Sequence, residues 1–164
     1  MAFLGSNNVV QTVTSVKTDT FSYSDGSYTD VSGLSVSITP KSTSSQILVM
    51  VHIVCAATHY VSHVRLMRGT TEIGNATAAS NRNTSFIHYS DPLNDTTHGH
   101  SDYRSMIFLD SPSTTSATTY KVQARERPDG SGSGTFYINR SHTDRDNSTY
   151  DSRAISAITV MEIA

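Results

Sequence analysis

The strongest strand pattern of the chain is its last run, Ile155–Ile163, in which β-branched Ile, Thr and Val recur throughout. A segment this close to a chain end stays disordered unless something ties it down, so we expect it to pair inside a sheet and not at its margin. No stretch of the chain shows a convincing helical pattern. Ser and Thr supply 26 and 22 of the 164 residues. The sequence therefore predicts a closed all-β unit with a surface of short hydroxyl side chains.

Two further segments predict strands in different environments. Leu34, Val36 and Ile38 alternate with Ser and Thr, which is typical of a strand that has one face on a core and one in water. Residues 46–56 are apolar at nearly successive positions. This second pattern predicts a central strand that is covered on both faces.

Asp25-Gly26 is a dipeptide suited to tight turns, and it predicts a hairpin between strands at 21–24 and 28–31. Turn signals recur every eight to twelve residues or so along the rest of the chain, as in antiparallel β proteins. The other strands are predicted at 9–17, 61–68, 84–89, 103–109, 120–126 and 135–140.

These patterns together define the expected architecture. We predict an all-β fold, an antiparallel two-sheet sandwich that is jelly-roll-like and has about nine to ten strands. Residues 1–8 are expected to form an N-terminal arm, and residues 9–164 a single β-sandwich domain. The sequence has no internal repeat and no linker that would mark a second domain.

Composition limits the range of functions. The formal charge is −2 and only 16% of residues are charged, so the chain offers no basic field for nucleic acid and no polybasic membrane anchor. Cys55 is the only cysteine, which excludes a disulfide framework, and its apolar surroundings predict a small buried side chain. The first residues lack the features of a signal peptide, and no segment is long and apolar enough to span a bilayer. We expect synthesis in a reducing cytoplasm.

One His-x-His pair is the main candidate for metal binding. His98 and His100, with Asp102 two residues further, could ligate zinc or another divalent ion if the segment were extended. A third histidine would have to come from elsewhere, and loop histidines usually face solvent. We therefore predict no metal and no cofactor, with these three residues as the candidates if a site existed.

Other histidines and carboxylates have simpler interpretations. A site formed by His52, His59 and His63 is conceivable, but a packed histidine in a central strand explains His52 better. Residues 144–151 contain three aspartates, which could suggest calcium, although the glycine and distant glutamate of an EF-hand loop are absent. Ion pairs with Arg140, Arg145 and Arg153 are the better explanation.

The sequence predicts a binding module and no enzyme. It contains no nucleophile elbow, no pair of glutamates in an apolar setting and no phosphate-binding glycine loop. Tyrosine beside Ser and Asn is typical of adaptable recognition surfaces. The candidates for a recognition loop are His88, Tyr89, Asp91, His98, His100 and Tyr103.

Several segments, in order along nearly the whole chain, resemble a β-sandwich module of tailed bacteriophages that occurs at tail-fibre tips and as small virion proteins. These segments are residues 9–21, 29–40, 42–49, 108–112, 117–122 and 159–162. The resemblance implies a jelly-roll-like sandwich, usually trimeric, on a virion surface. It brings no enzyme activity and no fixed ligand residues.

The resemblance leaves three functions open. The first is a trimeric capsid decoration or cement protein, whose partners would be its own copies and the major capsid protein or other virion proteins. The second is a receptor-binding tail-fibre tip that recognises a host surface glycan or protein. The third is a bacterial carbohydrate-binding, lectin-like domain. We expect the first, with the protein made in the bacterial cytoplasm and located on the virion surface, without nucleic-acid or membrane partners.

Overall fold

The computed structural model describes residues 8–58, 61–89, 100–126, 134–149 and 151–164. Within these ranges the chain forms eleven β-strands and no helix, and hence no helix that could cross a membrane. The strands are β1 (Val9–Lys17), β2 (Phe21–Tyr23), β3 (Thr29–Ile38), β4 (Gln46–Ala57), β5 (Ser62–Arg68), β6 (Thr71–Ile73), β7 (Ile87–Tyr89), β8 (Asp102–Asp110), β9 (Thr118–Arg125), β10 (Phe136–Ile138) and β11 (Ser156–Ile163).

The strands form two antiparallel sheets, which confirms the predicted all-β two-sheet sandwich. The first sheet has the order β1-β11-β4-β10-β2, and β8 pairs with the free side of β4. The second sheet has the order β3-β9-β5-β6, and β7 pairs with β5. One hydrophobic cluster contains side chains of both sheets, among them Leu34, Ile53, Leu66, Tyr120 and Phe136. Residues 1–7 of the predicted arm lie outside the described residues.

The last strand lies inside the first sheet, as the sequence predicted. β11 is flanked by β1 on one side and by β4 on the other. Val160 is opposite Val13 in β1 and opposite Val49 in β4, so three valines meet across the sheet. The backbone N–H of Ala164 also donates to the carbonyl oxygen of Asn8, 3.1 Å away. Pairing on both edges thus holds the terminal strand in place.

The central strand β4 is covered on both faces only at one end. Its inward residues, from Ile47 to Ala57, are fully buried in the core. Of its outward residues, Val54 is buried, whereas Met50 and His52 are only half-buried. The prediction of a strand covered on both sides was therefore wrong for the first two-thirds of β4. Apolar residues at successive positions indicate that both faces of the strand are apolar. They do not indicate whether another layer of this chain covers each face.

The predicted hairpin at Asp25-Gly26 was wrong. β2 pairs with β10 in the first sheet, whereas β3 pairs with β9 in the second, so the turn connects the two layers. Asp25 accepts the backbone N–H of Ser27 at 2.9 Å, and Gly26 does not adopt the positive φ of a hairpin glycine. The dipeptide does form a turn, but the strands on either side of it pair with distant strands and not with each other.

Gly33 joins two predicted strands into the single strand β3. Val31 and Leu34 are both buried although Leu34 is three positions after Val31. In a regular strand, side chains three positions apart point to opposite faces. An irregularity in the pairing with β9 occurs here, and Gly33 has φ of +82°. A positive φ is easily adopted by glycine and unfavourable for other residues. This glycine therefore lets both apolar side chains reach the core.

We predict that Gly33→Ala lowers the free energy of unfolding by about 1–2 kcal/mol, because alanine is strained at positive φ. The space itself is available, since a Cβ at this position would meet the Lys17 side chain at an ordinary 3.5 Å. Urea unfolding measures the change. Ser32→Ala, at the neighbouring exposed position, is the control and should change stability by less than about 0.5 kcal/mol. Equal losses in both variants would contradict the assigned role of the glycine.

Candidate interaction surface

The outward side of the first sheet carries no Asp, Glu, Lys or Arg on four adjacent strands, β8, β4, β11 and β1. The register defines which side chains share this side, since Met50 is opposite both Ile107 of β8 and Thr159 of β11, and Thr159 is opposite Thr14 of β1. We call this surface the first-sheet face. Its residues are Tyr103, Ser105, Ile107, Leu109, Leu48, Met50, His52, Ala157, Thr159, Met161, Ile163, Thr12, Thr14 and Val16.

Large apolar side chains are exposed on this side of the molecule. Ile107 is 64% exposed and Tyr103 is 66% exposed, and Leu109 and Val16 are also open to solvent. These four are half of the eight exposed large apolar residues within the described ranges. An apolar cluster of this kind on a folded domain is typical of an interaction surface.

The outward side of the second sheet is charged and internally paired. Arg65 forms an ion pair with Glu72 at 3.0 Å, and Lys121 forms one with Asp30 at 2.8 Å. The Tyr28 ring lies against the guanidinium group of Arg65, which is 3.9 Å from the ring centroid. This side has the composition expected of a sheet that faces water, so the two outer sides of the sandwich differ in chemistry.

His52 lies in a shallow depression near the centre of the first-sheet face. Its Nδ1 atom is 2.8 Å from the Ser105 hydroxyl oxygen, and its ring stacks on Tyr103 at a centroid distance of 5.7 Å. The depression has a volume of about 220 Å³, and Met50, Ile107 and Thr159 contribute to its lining. A hydrogen bond and an aromatic contact therefore supply the specific interactions of this surface, which has no Asp, Glu, Lys or Arg.

The predicted recognition residues do not form one exposed group. His88 is exposed in β7 of the second sheet, whereas His100 and Tyr103 are exposed at the start of β8. Tyr89 is only 2% exposed and packs edge-on against Phe136 in the core, so its assignment to a recognition loop was wrong. Asp91 and His98 lie outside the described residues. Tyr103 is the predicted recognition residue that belongs to the first-sheet face.

The described part of the metal candidate has another partner. Asp102 accepts a hydrogen bond from Arg104 at 2.8 Å, so its charge is already compensated. His98 lies outside the described residues, and His100 is exposed. The described ranges bring no three His, Cys, Asp or Glu side chains into a metal-binding group.

The three-histidine alternative was wrong. His52 lies on the outward side of the first sheet, whereas His63 lies on the outward side of the second, paired with His88 in β7. The thickness of the sandwich separates the two rings, and stacked sheets are about 10 Å apart. His59 lies outside the described residues. Proximity in the sequence suggested a cluster, but β4 and β5 belong to different sheets.

The ion pairs predicted for Arg140, Arg145 and Arg153 are present in the segment after β10. Arg140 and Arg153 both bind Asp144, and Arg145 donates to Asp151 at 2.7 Å. Hydrogen bonds, first from the hydroxyl of Ser141, lower the pKa of Asp151 to about 2. A cavity of about 410 Å³ lies at this network. Two of the aspartates that line it, Asp144 and Asp151, are paired with this chain's own arginines.

Cys55 is a buried core residue, as predicted. Burial raises the pKa of its thiol to about 12, and the Arg104 guanidinium offsets this only in part. Since the thiolate is the reactive form of cysteine, this side chain has the chemistry of a small hydrophobe.

Sequence reasoning missed the first-sheet face. A signal was present, because residues 103–109 are apolar on both sides of the strand, with Tyr103, Ile107 and Leu109 on one and Met106 and Phe108 on the other. Such a strand is expected in the middle of a sheet. Within the described ranges β8 pairs only with β4, and Tyr103, Ile107 and Leu109 on its outward side are exposed.

No protein-family model matches the chain, and no curated protein is significantly similar to it. What the fold defines is the class, a two-sheet antiparallel β-sandwich with one charged and one uncharged outer side.

We predict that stability falls between pH 6.5 and about 4 because of His63. Burial, followed by the nearby Arg125 and His88, lowers the pKa of this histidine from 6.5 to about 4. In that window the unfolded chain binds a proton that the folded protein excludes, so the free energy of unfolding decreases as the pH falls. Urea unfolding of His63→Phe should show a weaker pH dependence than the wild type. Replacing the exposed His100 by Gln is the control, and an unchanged pH dependence in His63→Phe would contradict the assignment.

Proposed function

We propose that this protein is a structural protein of a bacteriophage virion, which decorates the capsid surface as a trimer and reinforces the shell. It acts by adhesion and transforms no substrate. The first-sheet face is the observation that carries this proposal, because a large uncharged apolar surface gains free energy when another protein surface excludes water from it.

The chemistry of the described side chains supports adhesion over catalysis. The Cys55 thiol is buried and its pKa is raised to about 12, while Asp102, Asp144 and Asp151 are bound to arginines. A general base or nucleophile needs an accessible group whose pKa suits proton transfer near neutral pH. These residues are arranged as parts of a stable framework.

The construction of the sandwich also suits a reinforcing role. β4 is bordered along its length by β8 on one edge and by β11 and β10 on the other. At the corner beside β8, Arg68 and the Tyr120 hydroxyl both donate to Asp110, at 2.8 and 2.6 Å. A rigid scaffold with a prepared surface loses little conformational entropy when it binds.

A receptor-binding tail-fibre tip is the second candidate function. Tyr103 and His100 support it, because both are exposed near the start of β8 and exposed aromatic side chains are suited to contact with glycans or proteins. On this alternative the same end of β8 would contact a host molecule, and free protein would compete with virions for host cells.

We expect purified protein to rebind capsids from which it has been stripped, and to raise the temperature at which those capsids release their genome. The physical reason is that weak contacts at symmetric positions are multiplied in an oligomer. Sedimentation of the protein with capsids measures binding, and dye access to the genome on heating measures reinforcement. Capsids that still carry the protein are the control, since their sites are occupied. Failure to rebind, together with competition for host cells, would overturn the decoration proposal in favour of the fibre tip.

A further inference from the structure

We infer that a second copy of this chain covers the first-sheet face. This inference rests on the proposed adhesive function of that face, and it names the surface through which copies of the chain meet, but it does not depend on a capsid location. In a pair the two faces pack on each other, and in a trimer three of them turn toward a common axis. The occupant and the covered residues are the same in both arrangements.

The absence of charge favours a copy over an unrelated protein. In a symmetric contact the same patch is present on both partners, so any charged residue near the axis meets its own charge. The first-sheet face has no such residue on β8, β4, β11 or β1. A charged partner protein would require complementary charges on the first-sheet face. The paired charges of Arg65, Glu72, Lys121 and Asp30 instead lie on the second sheet.

The arrangement of side chains resembles that of known interfaces. Met50, Ile107 and Leu109 form an apolar half of the face on β4 and β8, while Thr14 and Thr159 on β1 and β11 supply hydroxyl groups beside it. These two threonines already hydrogen-bond each other at 3.0 Å. A patch that lacks charged residues and contains Met and Tyr has the composition of the buried core of a protein–protein interface.

The size of the face is sufficient for a stable contact. Four strands about 4.8 Å apart, with about 3.3 Å per residue along a strand of eight residues, give a flat projection of roughly 500 Å². Side chains that project from a sheet have a larger accessible area than the flat projection of the sheet. The accessible area of the face is therefore close to that of a standard interface, which buries about 800 Å² on each partner. Two such faces would pack about 10 Å apart, as the two layers of a sandwich do.

The edge strand β8 supplies a second reason for coverage. β8 pairs only with β4 among the described strands, so its other edge presents backbone groups to the surroundings. Its central residues, from Ser105 to Leu109, include no charged residue and no proline. Exposed edge strands usually carry such residues, which prevent unwanted pairing. In β8 the charged residues are confined to the two ends, at Asp102, Arg104 and Asp110, so its central part fits an edge that a neighbouring copy protects.

Light scattering after size-exclusion chromatography tests the inference without any capsid. We expect the wild type to form a dimer or trimer at or below about 100 µM, a concentration at which weak specific contacts are populated. Ile107→Lys places a charge among the exposed apolar residues of each face, so the dissociation constant should rise at least about tenfold. Ser35→Lys adds the same charge to an exposed strand position of the second sheet and should leave it unchanged.

Two further measurements keep the inference testable if Ile107→Lys folds poorly. Ile107→Thr retains a β-branched residue and should weaken association by a smaller factor. Raising the salt concentration should not weaken it, because an uncharged contact is not screened. A monomer at all concentrations, or equal weakening by Ile107→Lys and Ser35→Lys, would overturn the inference. A monomer that still rebinds stripped capsids would overturn the inference and the trimeric state but not the capsid location, and an oligomer that does not rebind them would overturn only the capsid proposal.

Discussion

Every strand of the first sheet is held by β4, either directly or through one neighbour. β8, β11 and β10 pair with it, β1 is attached through β11, and β2 is attached through β10. The inward side chains of β4, such as Ile47, Val49 and Ile53, are fully buried against the second sheet. Because the same strand organises one layer and anchors it to the other, its burial is the condition on which both the sandwich and the first-sheet face depend.

The same strand explains why the two outer sides differ. The second sheet meets water with paired charges, such as Arg65 with Glu72, and this is a stable arrangement for an isolated domain. The outward residues of β4 and its neighbours would be better buried than exposed, since each exposed apolar side chain forgoes the free energy of transfer from water. Association with another protein surface would remove these side chains from water and gain that free energy. This is the physical basis of the functional proposal.

Predictions from the sequence were reliable where the pattern was long and regular. β1 was predicted with its observed bounds, and β11 was placed inside a sheet, because alternation over eight or nine residues identifies the buried side. The site was predicted less well. Tyr89 was assigned to a recognition surface but belongs to the core, since a three-residue strand has too few positions to reveal which side is buried. Tyr103, at the start of a nine-residue strand, is the predicted recognition residue on the first-sheet face.

The sequence by itself determined the all-β class, the strand character of the main segments and the burial of Cys55, because these depend on side-chain type and on a period of two along the chain. Only the tertiary structure decided that β2 and β3 belong to different sheets and that His52 and His63 lie on opposite sides. It also decided that apolar residues of β8, which pairs only with β4 among the described strands, are exposed. Pairing partners and sheet order arise from contacts between distant segments, and a local pattern records that a side chain is apolar without recording what will cover it.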